Sequence, residues 1–241
     1  DDPAFHATNC PAYIAPENPQ CFCAEKCTED TLNVWCDVCG MQGVSACQGE
    51  DTAVAYEIVA SGTCGAEGNE SSVTWSLDSD GTLTISGTGA MADYELVEDY
   101  SIYYTTPWHN TDNYGRYQNS NIKKVVVKEG VTHIGNSAFK DFTELTSISI
   151  PNTVKSIGNG SVSYCYKLTS LVIPDSVTSI GFYAFSECSG LTGSLTISSG
   201  VTSIGENAFK NCSGLTGSLM MPESITNIGS YAFQNCSGFT G

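Results

Sequence analysis

Residues 177–224 read VTSIGFYAFSECSGLTGSLTISSG followed by VTSIGENAFKNCSGLTGSLMMPES, two consecutive copies of one pattern. Three further copies begin at Val131, Val154 and Ile225, so the pattern occurs five times with a step of 23 or 24 residues. We number these copies one to five from Val131. A fixed period of this length is typical of a solenoid, in which each repeat packs only against its neighbours.

Each of the first two copies contains the pattern L-x-x-I/L-x-I, as in Leu145, Ile148 and Ile150 of copy one. The last two positions alternate with polar residues and share one strand face, and a proline such as Pro151 ends the strand. The pattern predicts one strand per copy in a continuous parallel sheet from about Ile122. The Ala-Phe segment that follows is short, and we predict a helical turn there with its Phe filling the interior. The predicted class is an α/β leucine-rich-repeat solenoid.

Two further positions recur in every copy or nearly so. A glycine follows V-x-x-I at 135, 158, 181, 205 and 229, which indicates either a positive φ or a close backbone approach. Cysteine recurs at 165, 188, 212 and 236. Stacked copies would allow disulfides by their spacing, but parallel Cβ vectors keep the sulfurs apart, which favours a ladder of buried, reduced thiols.

Residues 51–121 precede the repeats, which we assign to residues 122–241. The segment 73–89 predicts a β-hairpin around Asp80-Gly81, since Asp-Gly between alternating strands favours a tight turn. We expect this hairpin to cover the first coil as a β-rich cap. A calcium-loop interpretation of Asp78 and Asp80 lacks the distal Glu. The Tyr-rich residues 93–121 predict a loop packed on the cap, with binding anchors as the alternative.

Residues 1–50 hold seven cysteines and none of the repeats. A segment this short buries too little apolar surface to fold unaided, so we predict a stapled module. One possibility is disulfides among the six cysteines of residues 21–47. The other is a structural zinc site, for which the ligands would be Cys23 (or Cys21), Cys27, Cys36 and Cys39. The sequence leaves both open.

The charge balance narrows the functional classes. Nine Lys and Arg stand against 26 Asp and Glu, for a net charge of −17. Nucleic acid is therefore an unfavourable partner, because phosphate binding needs a basic surface. No segment is long and apolar enough to span a bilayer. Recognisable catalytic motifs are missing, and we interpret His133 as an exposed turn residue, so we predict a protein that is not an enzyme.

The chain resembles BspA-like leucine-rich-repeat surface proteins of Firmicutes-type bacteria. The resemblance rests on the copies and on the order of four upstream stretches: SGTCG (61–65), VTWSLDSDGTLTISGTGAMADY (73–94), PWH (107–109) and IKKVVVKEGVTHIG (122–135). It covers roughly residues 60–241. It implies an extracellular location and, for some members, adhesion to host or bacterial proteins. It implies no catalytic residue.

We therefore predict a secreted or cell-surface binding protein that presents its outward strand face, which we take as concave, to a protein partner. Host matrix or another bacterium would supply that partner. The predicted binding residues are Thr146, Ser147, Ser149, Thr169, Ser170, Val172, Thr196, Ser218 and Met220. The alternative is a structural spacer that displays another module and binds nothing. Because Gly241 falls inside copy five, we also expect further repeats beyond it.

Overall fold

The structure is a computed structural model that describes residues 57–94, 96–98, 102–104, 106–108 and 121–240. The cysteine-rich residues 1–50, with the possible zinc ligands Cys23, Cys27, Cys36 and Cys39, lie outside these ranges, as does most of the Tyr-rich loop. The stapled module therefore stays a prediction. The strands are β1 Ile58–Thr63, β2 Val73–Asp78, β3 Thr82–Gly87, β4 Gly89–Ala90, β5 Leu96–Glu98, β6 Ile102–Tyr104, β7 Lys124–Val127, β8 Val131–Ile134, β9 Ser147–Ser149, β10 Ser156–Ile157, β11 Ser179–Ile180, β12 Gly193–Thr196, β13 Ser203–Ile204, β14 Leu215–Met220, β15 Asn227–Ile228 and β16 Gly238–Phe239.

The hairpin and the start of the repeats form one sheet in the order β1-β2-β3-β7-β9. Strands β2 and β3 pair antiparallel around the predicted turn, where Asp78 Oδ1 accepts hydrogen bonds from the N–H groups of Asp80 and Thr82. This use of Asp78 confirms the turn interpretation. Strand β3 then pairs parallel with β7. The hairpin thus continues the sheet ahead of copy one. Strands β5 and β6 form a separate antiparallel pair.

A second sheet runs through every copy at the V-x-x-I-G position, in the order β4-β8-β10-β11-β13-β15. All strand pairs within the repeats are parallel, which confirms the predicted solenoid. The prediction of a single strand per copy is wrong, because this second strand is mostly only two residues long and too short to give a recognisable alternation.

The strand row at L-x-x-I-x-I is also less continuous than predicted. Residues 169–173 of copy two form no strand, so the first sheet ends at β9 and a third sheet, β12-β14-β16, begins in copy three. Between the two sheets, the N–H of Thr169 donates to Thr146 O and that of Thr192 donates to Thr169 O, each at 3.3 Å. The predicted unbroken sheet is corrected to two segments.

The Ala-Phe segments form stacked turns instead of the predicted helical turn. In copy one, the N–H groups of Ser137, Phe139 and Asp141 donate to carbonyl oxygens of copy two at 2.7–2.9 Å. Ser137 and Asp141 have φ of 52° and 60°, which a right-handed helix does not permit. These alternate N–H groups therefore form hydrogen bonds between adjacent coils and are not available for hydrogen bonds within a helix. Residues Glu70–Ser72 form a 3₁₀ turn.

The recurrent glycine is explained by close approach. A Cβ on Gly158 would lie 2.6 Å from the backbone nitrogen of Asn136, and one on Gly181 would lie 2.7 Å from that of Asn159. Neither glycine has a positive φ. Of the two explanations that the sequence left open, the packing of adjacent coils is the one that operates.

Aromatic rings and thiols fill the interior. The rings of Phe185, Phe209 and Phe233 stack in successive copies with centroids 5.2 and 5.4 Å apart. At the other end, Trp108 is buried against Trp75, Tyr94 and Phe139, and its Nε1–H donates to Ala138 O at 2.9 Å. Tyr94 and Trp108 are thus buried and not exposed to solvent. No helix within the described ranges is long and apolar enough to cross a membrane.

Candidate functional site

Most of the predicted binding residues lie on or beside the outward face of the first and third sheets, whereas Thr169, Ser170 and Val172 lie between those sheets in copy two, where no strand forms. Eight of the nine are exposed and Ser147 is half-buried. The alternation along β14 explains this arrangement, because Leu215 and Leu219 point inward while Ser218 and Met220 point outward. Thr196 and Met220 are paired in β12 and β14 and are therefore direct neighbours. Val172 occupies the equivalent position in copy two, outside any strand.

Two of the predicted residues also hold the coils together. The hydroxyl of Thr146 donates to Lys123 O at 3.0 Å, and that of Thr169 donates to Thr146 O at 3.3 Å. Their backbone N–H groups donate to the same oxygens. A second threonine row, Thr178, Thr202 and Thr226, repeats the arrangement beside the second sheet. These hydroxyl protons are engaged in hydrogen bonds between coils, so any ligand would meet an oxygen acceptor or a methyl group there.

Exposed apolar side chains distinguish part of the predicted face. Val172 is 77% exposed and Met220 is 58% exposed, and hydroxyl side chains surround them in the sequence of copies two to four. Exposed apolar area surrounded by polar residues is characteristic of interaction surfaces. The predicted face therefore has its strongest potential for hydrophobic contact between copies two and four.

The second sheet carries a shallow groove of about 410 Å³ that sequence reasoning did not identify. Its floor is one residue from each copy in register: His133, Ser156, Ser179, Ser203 and Asn227. Asn136, Asn159 and Phe182 also line the groove. The recurrent polar residue before Ile-Gly was the available signal, and interpreting it as a turn concealed the row.

His133 links the groove to the segment ahead of the repeats. It lies in β8, which corrects its interpretation as an exposed turn residue. Its Nδ1 is 2.7 Å from Ser156 Oγ, and its Nε2 is 3.2 Å from Asp93 Oδ1. The nearby backbone N–H groups of Gly158 and Asn159 already donate to Ile134 O and Asn136 Oδ1. These two N–H groups are therefore not available to stabilise an oxyanion.

The cysteine row is buried and reduced, as predicted. Cys165, Cys188 and Cys212 have no exposed surface, and no disulfide joins the cysteines of the described region. Burial raises the pKa of the Cys188 thiol, and the adjacent Cys236 thiol together with burial raises that of Cys212. Thiols held in this protonated form are poor nucleophiles. Within the described ranges, no cluster of His, Cys, Asp and Glu could hold a metal ion.

Comparison with known families identifies these repeats. The sequence model of the family described as the BspA type leucine rich repeat region matches residues 112–240 in six copies. That match covers more than half of the chain, so the chain belongs to the BspA-type leucine-rich-repeat family. Family membership supports a general role in protein interaction or at a surface. Comparison with curated proteins gives no match.

Solved structures of bacterial leucine-rich-repeat proteins resemble this fold. One from Eubacterium ventriosum is 31% identical with a TM-score of 0.55, over 70% of this chain and 40% of that one. One from Bacteroides ovatus is 25% identical with a TM-score of 0.48, over 70% and 44%. A leucine rich cell surface protein from Faecalibacterium prausnitzii is 27% identical with a TM-score of 0.44, over 70% and 52%. This chain thus spans 40–52% of the length of these relatives.

Proposed function

We propose that this chain is a non-enzymatic, protein-binding part of a secreted or cell-surface protein, and that it binds through the outward face of its first and third sheets. The observation that carries the proposal is the pair Thr196–Met220, adjacent in β12 and β14, with Val172 at the equivalent position of copy two. Two exposed apolar side chains in a hydroxyl-rich surface give a small hydrophobic centre with a polar rim, the usual anatomy of a protein interface.

The size and composition of this face fit a role in adhesion. A small face without Trp, Tyr or Arg anchors favours modest affinity for one partner molecule. Display of many copies on a cell increases the effective affinity through avidity. The partner that fits is a protein of a host matrix or of another bacterium. Family membership and the resemblance to a cell surface protein from Faecalibacterium prausnitzii support this location.

The test uses the 241-residue chain coupled to a solid support and incubated with solubilised matrix proteins or bacterial surface extracts. Retained proteins are identified by mass spectrometry for the wild-type chain and for the double variant Val172→Glu/Met220→Glu. A matched control, Ser189→Glu/Ser213→Glu, adds the same charge at exposed serines in the turns of copies three and four. We expect the wild-type chain and the control to retain the same proteins in similar amounts. The Val172→Glu/Met220→Glu variant should retain at least tenfold less of each.

Two results would overturn this proposal. Equal retention by all three chains would show that the face is not used. Retention no greater than that of the bare support would favour the spacer role, in which the repeats hold another module in position and bind nothing themselves.

A further inference from the structure

Three exposed tyrosines, Tyr164, Tyr166 and Tyr183, come together on the turns of copies two and three. We call them the tyrosine cluster. The rings of Tyr164 and Tyr166 meet edge to face with centroids 6.2 Å apart, and Tyr183 lies close enough to Tyr164 to affect its ionisation. The three residues are 36%, 45% and 46% exposed. This is a larger exposed aromatic surface than the predicted strand face offers.

The cluster is locally unfavourable for the fold. Tyr164 has a φ of 62° and Tyr183 a φ of 56°, a region that bulky side chains rarely adopt. At the position of Tyr164 the other copies use Asp141, Glu187, Asn211 and Asn235, and Asp and Asn tolerate this backbone better. Because these rings are exposed, they contribute little to the core. A residue choice that conflicts with local preference and adds little packing is expected where function requires it.

Carboxylates border the cluster on both sides. Asp141 and Glu187 occupy the position of Tyr164 in the preceding and following coils. Burial is the largest cause of the raised pKa of Tyr164 and of Tyr166, and the charges of Asp141 and Glu187 are the next largest. Both carboxylates therefore lie near both rings. Glu187 is oriented by a hydrogen bond from Asn211 Nδ2. The raised pKa keeps the phenols of Tyr164 and Tyr166 neutral at physiological pH, and their rings face a negative local field.

A cation already lies over one of the rings. The ammonium group of Lys140 is 5.5 Å from the centroid of Tyr164, within the range of a cation–π contact. The ring of Tyr164 is thus placed to interact with a positive charge.

We propose that the tyrosine cluster binds a basic, Arg- or Lys-rich segment of a partner protein. Cationic side chains of the partner would stack on the exposed rings and pair with the carboxylates of Asp141 and Glu187. Arginine fits best, because its planar guanidinium can stack on a ring and bond a carboxylate at once. The chain's net charge of −17 favours the approach of such a partner, and the rings add a specific contact. This interaction does not depend on the strand face.

The test measures binding of a fluorescent octapeptide of alternating Arg and Gly to the 241-residue chain. The variants Tyr164→Asn, Tyr166→Ser and Tyr183→Asn each introduce a residue that another copy carries at that position, so the fold is retained and no charge changes. We expect about a two- to fivefold loss of affinity for each, as for an exposed cation–π contact worth about 0.5–1 kcal/mol, and more than tenfold for the triple variant.

Tyr231 supplies the matched control. It occupies the position of Tyr183 two copies later, has a φ of 59° and is 63% exposed, but lies outside the cluster. Tyr231→Asn should therefore bind the peptide as wild type does, in 0.15 M and in 0.5 M salt. Equal losses in Tyr183→Asn and Tyr231→Asn would show that the tyrosine cluster is not a specific site. Full binding by the triple variant would show that general acidity alone attracts the peptide. If the chain binds a neutral hexasaccharide and does not bind the peptide, the proposal is likewise overturned.

Discussion

The thiol of Cys212 donates a hydrogen bond to the carbonyl oxygen of Phe185, one coil earlier, at 3.1 Å. Cys165, Cys188 and Cys236 make the corresponding bonds to Phe139, Val162 and Phe209 at 3.0–3.3 Å. Each cysteine thereby satisfies a carbonyl group next to the stacked interior while packing as a small apolar residue. The recurrence of cysteine thus reflects a structural role repeated from coil to coil.

We expect Cys212→Asp to lower the free energy of unfolding by more than about 4 kcal/mol, because it places an unpaired charge in a fully buried site. Cys212→Ala removes only the sulfur and its hydrogen bond and should cost about 1–2 kcal/mol. Urea denaturation of both variants measures the difference. Similar losses for the two would indicate that water reaches the cysteine row.

Thiol labelling at neutral pH should leave Cys188 and Cys212 unmodified in the native protein and modify both after denaturation. Neither has exposed surface, and both thiols are held protonated. Peptide-level mass spectrometry separates these positions from the cysteines of residues 1–50. Modification of native Cys212 at the rate of the denatured chain would contradict the buried ladder.

Alkaline pH should destabilise the fold through its buried thiols. Burial raises the pKa of Cys64 from 9.0 to about 12, so the folded state binds this proton more tightly than the unfolded state. Its contribution to stability is complete below pH 9.0 and is lost as the pH rises towards 12. Melting temperatures at pH 8, 9, 10 and 11 should therefore fall, and Cys64→Ala should show a shallower fall. Identical slopes would exclude a contribution from Cys64.

Gly181→Ala should be strongly destabilising, since its Cβ would lie 2.6 Å from Asn159 Oδ1 and 2.7 Å from the backbone of copy two. We expect a loss of about 3 kcal/mol, as for overpacking against an immobile neighbour. Gly193→Ala is the control, because its Cβ would meet no atom within 4 Å and only its φ of 79° opposes alanine, at about 1–2 kcal/mol. Thermal denaturation of the two variants compares them. A larger loss at Gly193 would contradict the close-approach explanation.

Much of this fold was predictable because the repeat aligns equivalent residues. The stacking of Leu145, Leu168 and Leu191, and the burial of Cys188 and Cys212, follow from period and apolarity alone. The second strand was missed because two residues such as Ser179–Ile180 give too short an alternation to recognise. The turns could not be told from helical turns in the sequence, because a positive φ at a residue such as Ser137 leaves no reliable mark there.

The candidate sites were harder to predict than the fold. The groove floor depends on that second strand, so it could not be placed without it. The tyrosine cluster joins Tyr164 and Tyr166 of copy two to Tyr183 of copy three, and these come together only when two irregular copies are stacked. A repeat defines positions by what the copies share, whereas this candidate surface is built from positions at which the copies differ.

The cysteine-rich residues 21–47 are predicted to form a module stapled by disulfides or by zinc. Ordering about 27 residues costs about 1–2 kcal/mol for each backbone residue, more than so short a segment recovers by apolar burial. Disulfides contribute about 2–4 kcal/mol each, and a bound zinc contributes roughly 10–16 kcal/mol. Mass spectrometry of the intact chain distinguishes them. Disulfides lower the mass by about two units per bridge, whereas zinc adds its own mass under native conditions only and is removed by a chelator. A segment that stays folded with neither mass change would contradict the stapling hypothesis.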